Sequence, residues 1–169
     1  MFFRLFLVTL FLLLPAAACQ SAPTPLILLP LSPAPSPPAT WPSDQEAILA
    51  LMAAEAEAAI QDDALRLLEL WADNSFILDA SHTPDDPTDD HIWVGQDAIL
   101  SRYLTIVFPL YLTQLERTDV QLTIEGETAT ATATTLIEGE ISPGGETWTF
   151  ILSDGEWRIE SLTFNLESR

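Results

Sequence analysis

One carboxylate sits where a charge is hardest to keep, and a second closes a strand. In residues 44–61, steps of 100° per residue place Ile48, Leu51, Met52, Glu55 and Ala59 on one helix face, with Glu57 on the opposite one. Glu55 therefore interrupts an apolar stripe. Asp79 closes the run SFILD, residues 75–79, which reads as a strand. Two carboxylates sharing one apolar pocket form an acid/base arrangement. Their repulsion and desolvation raise one pKa, and that group then serves as a general acid. Each residue also has a simpler role open to it. Asp79 can pair with loop N–H groups at a strand end. Glu55 can lie at a pocket rim and reach water or Arg102.

Other residues offer weaker chemistry. Between 81 and 91 lie His82, Asp85, Asp86, Asp89, Asp90 and His91. Such a cluster could hold Ca²⁺ or another divalent ion, but no EF-hand spacing is present and two prolines separate the ligands, so a solvated acidic loop is expected and no metal. Trp71, Trp93, Tyr103 and Trp148 either line a ligand pocket or fill the core. No glycine-rich nucleotide loop, Ser-His-Asp order or paired-cysteine metal site occurs, and no cofactor is expected.

The elements that must position these residues follow from the pattern. Ser43 with Glu46 three residues on is a capping box opening the first helix. Asp62-Asp63 caps a second, shorter helix over 64–71. The strand 75–79 comes next, then the Pro/Asp loop, then Ile92-Trp93-Val94 as a short strand. Gly95-Gln96-Asp97 starts a third helix running from Ala98 to about Phe108, with Pro109 near its end. Residues 119–125, 128–138, 147–153 and 156–164 read as four strands joined by glycine-containing hairpins. In ATATATT, from Ala129, threonines take one face and small alanines the other. Helices followed by an antiparallel meander give an α+β class, with about three helices packed on one face of the sheet.

The front of the chain has a different character. Arg4 precedes an apolar stretch from Leu5 to Leu14, then Pro15 and three alanines. That is the layout of an export signal, and the run is shorter than the roughly 20 residues of a membrane span. Ala16-Ala17-Ala18-Cys19 resembles the lipobox of bacterial lipoproteins, with Ala16 where leucine is usual. Cys19 is the only cysteine. The resemblance implies a chain anchored in the bilayer by acyl groups on Cys19, on the extracytoplasmic face of the cell membrane. In residues 20–42, eight of 23 residues are proline and none is charged. This reads as a semi-rigid tether, reaching up to roughly 70 Å at about 3.1 Å per residue. The expected division is a signal over 1–18, a lipid-anchored tether over 19–42 and one folded domain over 43–169.

Charge narrows the function. Six basic residues stand against 25 acidic ones, a net charge of −19, and lysine is absent. Such a surface repels phosphate backbones and excludes nucleic acid as a partner.

The order of elements resembles the nuclear transport factor 2-like (NTF2-like) superfamily, with SnoaL-like and ketosteroid-isomerase-like members closest. Four stretches carry the resemblance. They are Gln61-Asp62-Asp63 through Leu70-Trp71-Ala72-Asp73-Asn74, Phe76-Ile77-Leu78-Asp79, Gly95-Gln96-Asp97-Ala98-Ile99, and Asp154-Gly155-Glu156-Trp157-Arg158-Ile159. The resemblance implies a cone in which a curved sheet wraps a long helix, with a pocket between them, and homodimers through the outer sheet face. It places Asp79 where the isomerases keep their proton-shuttling aspartate. It places Glu55 where they keep an oxyanion-binding tyrosine, and their second oxyanion acid near Trp148. An ionised Glu55 repels an enolate, which argues against steroid-type isomerisation. The expectation is a lipid-anchored domain that binds a small apolar molecule or a protein partner without catalysis. The alternatives are a SnoaL-like isomerase, dehydratase or cyclase using Asp79 and Glu55, and a structural adaptor that dimerises through its sheet.

Overall fold

The computed structural model describes residues 43–138 and 140–166, with backbone alone at 140–144. The export signal, Cys19 and the tether lie outside the described residues.

Helix α1, Asp44–Ile60, starts at Ser43, whose side chain accepts from the Glu46 amide at 3.3 Å and donates to its carboxylate at 3.2 Å. Asp63 caps α2, Ala64–Leu70, by accepting from the Arg66 amide at 3.0 Å. Strand β1 is Trp71–Asp79 and β2 is His91–Val94. Helix α3, Gln96–Arg102, opens at Gly95, whose φ of 82° is the left-handed conformation that glycine adopts without strain. Then follow β3, Leu115–Glu125, β4, Thr128–Ile137, β5, Glu140–Ser153, and β6, Glu156–Phe164.

The six strands form one sheet in the order β2-β1-β6-β5-β4-β3. Only β1 and β6 run parallel. A single row of paired residues crosses the inner face: Trp93, Ile77, Leu162, Trp148, Ala131 and Leu122. The alternation in ATATATT holds. Ala129, Ala131 and Ala133 are buried, and Thr128, Thr130 and Thr132 are exposed. Small side chains on β4 leave room for the Trp148 indole, which stacks on Phe150 at 6.2 Å between ring centroids. Ile48, Met52 and Ala59 of α1 join the same core. The architecture is the α+β one expected, with three helices and a curved, mostly antiparallel sheet.

Four elements differ in their boundaries from the sequence expectation. Strand β1 begins at Trp71, because Trp71 pairs with Ile159 of β6 across a register shift that ends at Phe76. The third helix is not α-helical to Phe108. It passes at Tyr103–Val107 into a π turn and at Phe108–Leu110 into a 3₁₀ turn. Pro109 has no N–H to continue an α ladder, and Tyr111, at φ 52°, ends the segment. Strands β3 and β5 both start early, at Leu115 and Glu140, because each carries an irregularity that breaks its alternation.

Candidate functional site

The early start of β3 determines the interior. It places Arg117 on the inner face of the sheet, under α1. The Glu55 side chain is 3% exposed and that of Arg117 is 7% exposed. Arg117 NH2 lies 2.7 Å from Glu55 Oε2. Its Nε lies 3.1 Å from Glu146 Oε2, and its NH1 donates to the Met52 carbonyl at 3.1 Å. The guanidinium also sits 4.5 Å from the Trp148 ring centroid, and Trp148 Nε1 donates to Glu146 at 2.9 Å. The π turn brings in the last member: the Tyr103 hydroxyl donates to Glu55 Oε1. One cation thus serves two buried carboxylates, each of which has a second donor in an aromatic side chain.

The electrostatics follow. Burial works against the charge on Arg117, but Glu55 and Glu146 outweigh it, so its pKa lies above the ordinary guanidinium value. Burial and then the Glu55 charge push the Tyr103 phenol well above its ordinary value of 10.0. Tyr103 therefore stays a neutral donor to Glu55.

Glu55 is buried on the α1 stripe, where the helical spacing puts it. Its cation is Arg117 rather than Arg102. The guanidinium of Arg102 instead lies among Trp93, Tyr103 and Phe164. Asp79 is not part of the Arg117 network. Its Oδ1 accepts from the Ser81 amide at 2.9 Å and from the Asn165 side-chain amide at 2.6 Å. Trp71, Tyr103 and Trp148 are each no more than 1% exposed, and Trp93 is half-buried. In the acidic loop the carboxylates bond to their own neighbours: Asp89 accepts from the Thr83 hydroxyl at 2.7 Å and Asp86 from the Thr88 hydroxyl at 2.7 Å. Among the described residues, no three His, Cys, Asp or Glu side chains group as metal ligands.

Two of the cavities among the described residues stand out. A groove of about 430 Å³ runs between α1 and β3, an edge strand of the sheet among the described residues. Leu49, Met52, Ala53 and Ile60 face Leu115 and Val120 across it, with Arg117 in the wall. A second cavity of about 480 Å³ is lined by Trp71 and Gln96 and by the charged residues Asp73, Asp154, Glu156, Arg158 and Glu160. Glu55 and Asp79 line neither. Arg117 and Glu146 are the site residues that the sequence pattern did not single out. The one available signal was the alternation Leu115-Glu116-Arg117-Thr118, which puts Arg117 on the same face as Leu115.

No protein-family model and no curated protein matches the chain. Solved structures do. An NTF2-like protein with a cystatin-like fold from Novosphingobium aromaticivorans is 23% identical, with a TM-score of 0.56, over 71% of this chain and 79% of that one. An NTF2-like protein from Cytophaga hutchinsonii is 16% identical, with a TM-score of 0.57, over 72% and 96%. An NTF2-like protein of unknown function from Pseudomonas putida is 14% identical, with a TM-score of 0.55, over 72% and 86%. At these identities the likeness carries the fold, and the fold of the described residues is that of the NTF2-like proteins.

Proposed function

We propose that this chain is a binding domain held on the extracytoplasmic face of the membrane through Cys19, and that its α1–β3 groove takes a small apolar molecule without catalysis. The observation that carries the reading is the division of labour in the interior. Glu55 is neutralised by Arg117 and hydrogen-bonded by Tyr103, so moving a proton through it means breaking a buried ion pair. The groove, by contrast, is open and walled mainly by aliphatic side chains, with Glu57, Glu116 and Arg117 also lining it. Each 100 Å² of apolar surface that a ligand buries there contributes roughly 2.5 kcal/mol before association costs. Cys19 and the proline-rich segment support the tethered location. They form an acylation site and a spacer of suitable reach.

The test is a titration of the purified protein with N-phenyl-1-naphthylamine, whose fluorescence rises in apolar surroundings. Saturable binding is expected. Ala53→Trp, which fills the groove from exposed α1 backbone, should abolish it while leaving the melting transition cooperative. Unchanged binding by Ala53→Trp would exclude the groove as the site.

A further inference from the structure

Arg102 is set apart from every other arginine among the described residues. Arg66 pairs with Glu57 at 3.2 Å, Arg117 with Glu55 at 2.7 Å and Arg158 with Glu156 at 2.7 Å. Arg102 has no described acid within ion-pair distance. In a chain this acidic, an arginine with no ion-pair partner among the described acids is an unusual arrangement. It is also not a helix-dipole arginine. Although it ends α3, the backbone continues helically through Tyr103–Val107 and Phe108–Leu110, so its charge does not face a terminal set of carbonyls.

Its surroundings are aromatic. The guanidinium carbon lies 5.2 Å from the Trp93 ring centroid, 5.6 Å from Tyr103 and 5.0 Å from Phe164. Nε is sealed from solvent and has no hydrogen-bond acceptor. The terminal nitrogens are not sealed in this way, and the residue as a whole is half-buried. The planar cation is thus walled by rings, and its two-pronged edge remains reachable. Aromatic faces hold a guanidinium in place without supplying an acceptor to its N–H groups. They also exclude water, which strengthens any hydrogen bond that a charged acceptor makes at the open edge.

We infer that Arg102, framed by Trp93, Tyr103 and Phe164, is a receptor for a small organic monocarboxylate, which it grips in a two-oxygen, fork-to-fork pairing. The ring walls favour a ligand with a flat or apolar body beside its carboxylate. Asp79 pairs in register with both Phe164 and His91, and so sits on the same face of the sheet. Its charge disfavours dianions there, which points to one carboxylate per ligand. This site is separate from the α1–β3 groove, since Arg102, Trp93 and Phe164 do not line that groove.

The probe is benzoate, titrated into the full-length protein at constant ionic strength. The readout is the NMR signals of Arg102 Nε–H and Trp93 Nε1–H. Saturable shifts of both are expected, and unchanged shifts with benzyl alcohol or inorganic phosphate at equal concentration. Arg102→Lys keeps the charge and removes the fork, and should weaken benzoate binding by on the order of tenfold. Ala53→Trp should leave it intact, which separates this site from the groove. Arg102→Lys folding can be checked by its melting curve, and the wild-type titrations do not depend on it. The inference is overturned if benzoate shifts do not saturate at tens of millimolar, if phosphate or benzyl alcohol reproduces them, or if Arg102→Lys binds benzoate as tightly as wild type.

Discussion

Arg117 of β3 meets Glu55 of α1 at 2.7 Å, in a pair whose side chains are 7% and 3% exposed. The contact joins the long helix to β3, at one edge of the described sheet, so the same ion pair that neutralises the interior also fixes the width of the groove beside it. Arg117 NH1 adds a bond to the Met52 carbonyl on the same helix.

Removing the cation should therefore cost more than removing either acid. Arg117→Met leaves Glu55 and Glu146 buried without a counter-charge. Loss of one partner from a buried pair costs roughly 3–5 kcal/mol, and two stranded carboxylates should reach or exceed the top of that range. Urea unfolding at neutral pH gives the number. A cost under about 1 kcal/mol, the size of an exposed pair, would mean that the network is solvated.

Most of the fold was readable from periodicity because most elements are patterned on one face. The Ser43–Glu46 cap, the Glu55 stripe and the alternating alanines of β4 all appear in the structure as spaced. What the pattern hid was the partner of Glu55. Residues 115–118 alternate correctly, but Asp119 adopts φ 55° and the register with β4 shifts between Thr118 and Gln121. A strand search that starts from clean alternation therefore begins after the bulge and leaves Arg117 in a loop. Glu146 was missed for the same reason, since β5 changes register against β4 between Ala133 and Thr135. An inward-pointing charge looks like a loop residue until its counter-charge is known, and the counter-charge comes from a different element. Arg102 stays open as a partner of Glu55 at the level of sequence, because a helix position alone does not reveal which aromatic rings surround it.

The alkaline limb of stability should trace to Tyr103. Its folded pKa is raised, so its contribution is fully present below the unfolded value of about 10 and is lost as pH rises through the folded value. Above pH 10 the decline is up to about 1.4 kcal/mol per pH unit. The chain has no lysine and only one other tyrosine, Tyr111, which is 80% exposed. In a Tyr111→Phe background, phenolate absorbance should therefore appear only with unfolding. Absorbance that rises while the near-ultraviolet circular dichroism is still native would show that Tyr103 is accessible.

Membrane attachment should depend on one atom, the Cys19 sulfur. Two or more acyl chains anchor a protein stably, whereas none leaves this acidic domain with no grip on an anionic bilayer. The exported wild type should sediment with membranes, and Cys19→Ser should move to the soluble fraction. A soluble wild type, or a sedimenting Cys19→Ser, contradicts the anchor.

The charge of Glu55 is the point on which a binding domain and a proton-transfer enzyme differ most sharply. Glu55→Gln keeps the shape and the capacity to accept from Tyr103 but removes the charge facing Arg117. If Glu55 is the structural counter-ion described here, urea unfolding at neutral pH should show a loss towards the low end of the roughly 3–5 kcal/mol for a broken buried pair, because Glu146 still compensates Arg117. If the substitution instead leaves stability unchanged or raises it, Glu55 is not held as an ion pair, and the separation between a neutralised interior and a binding groove is contradicted.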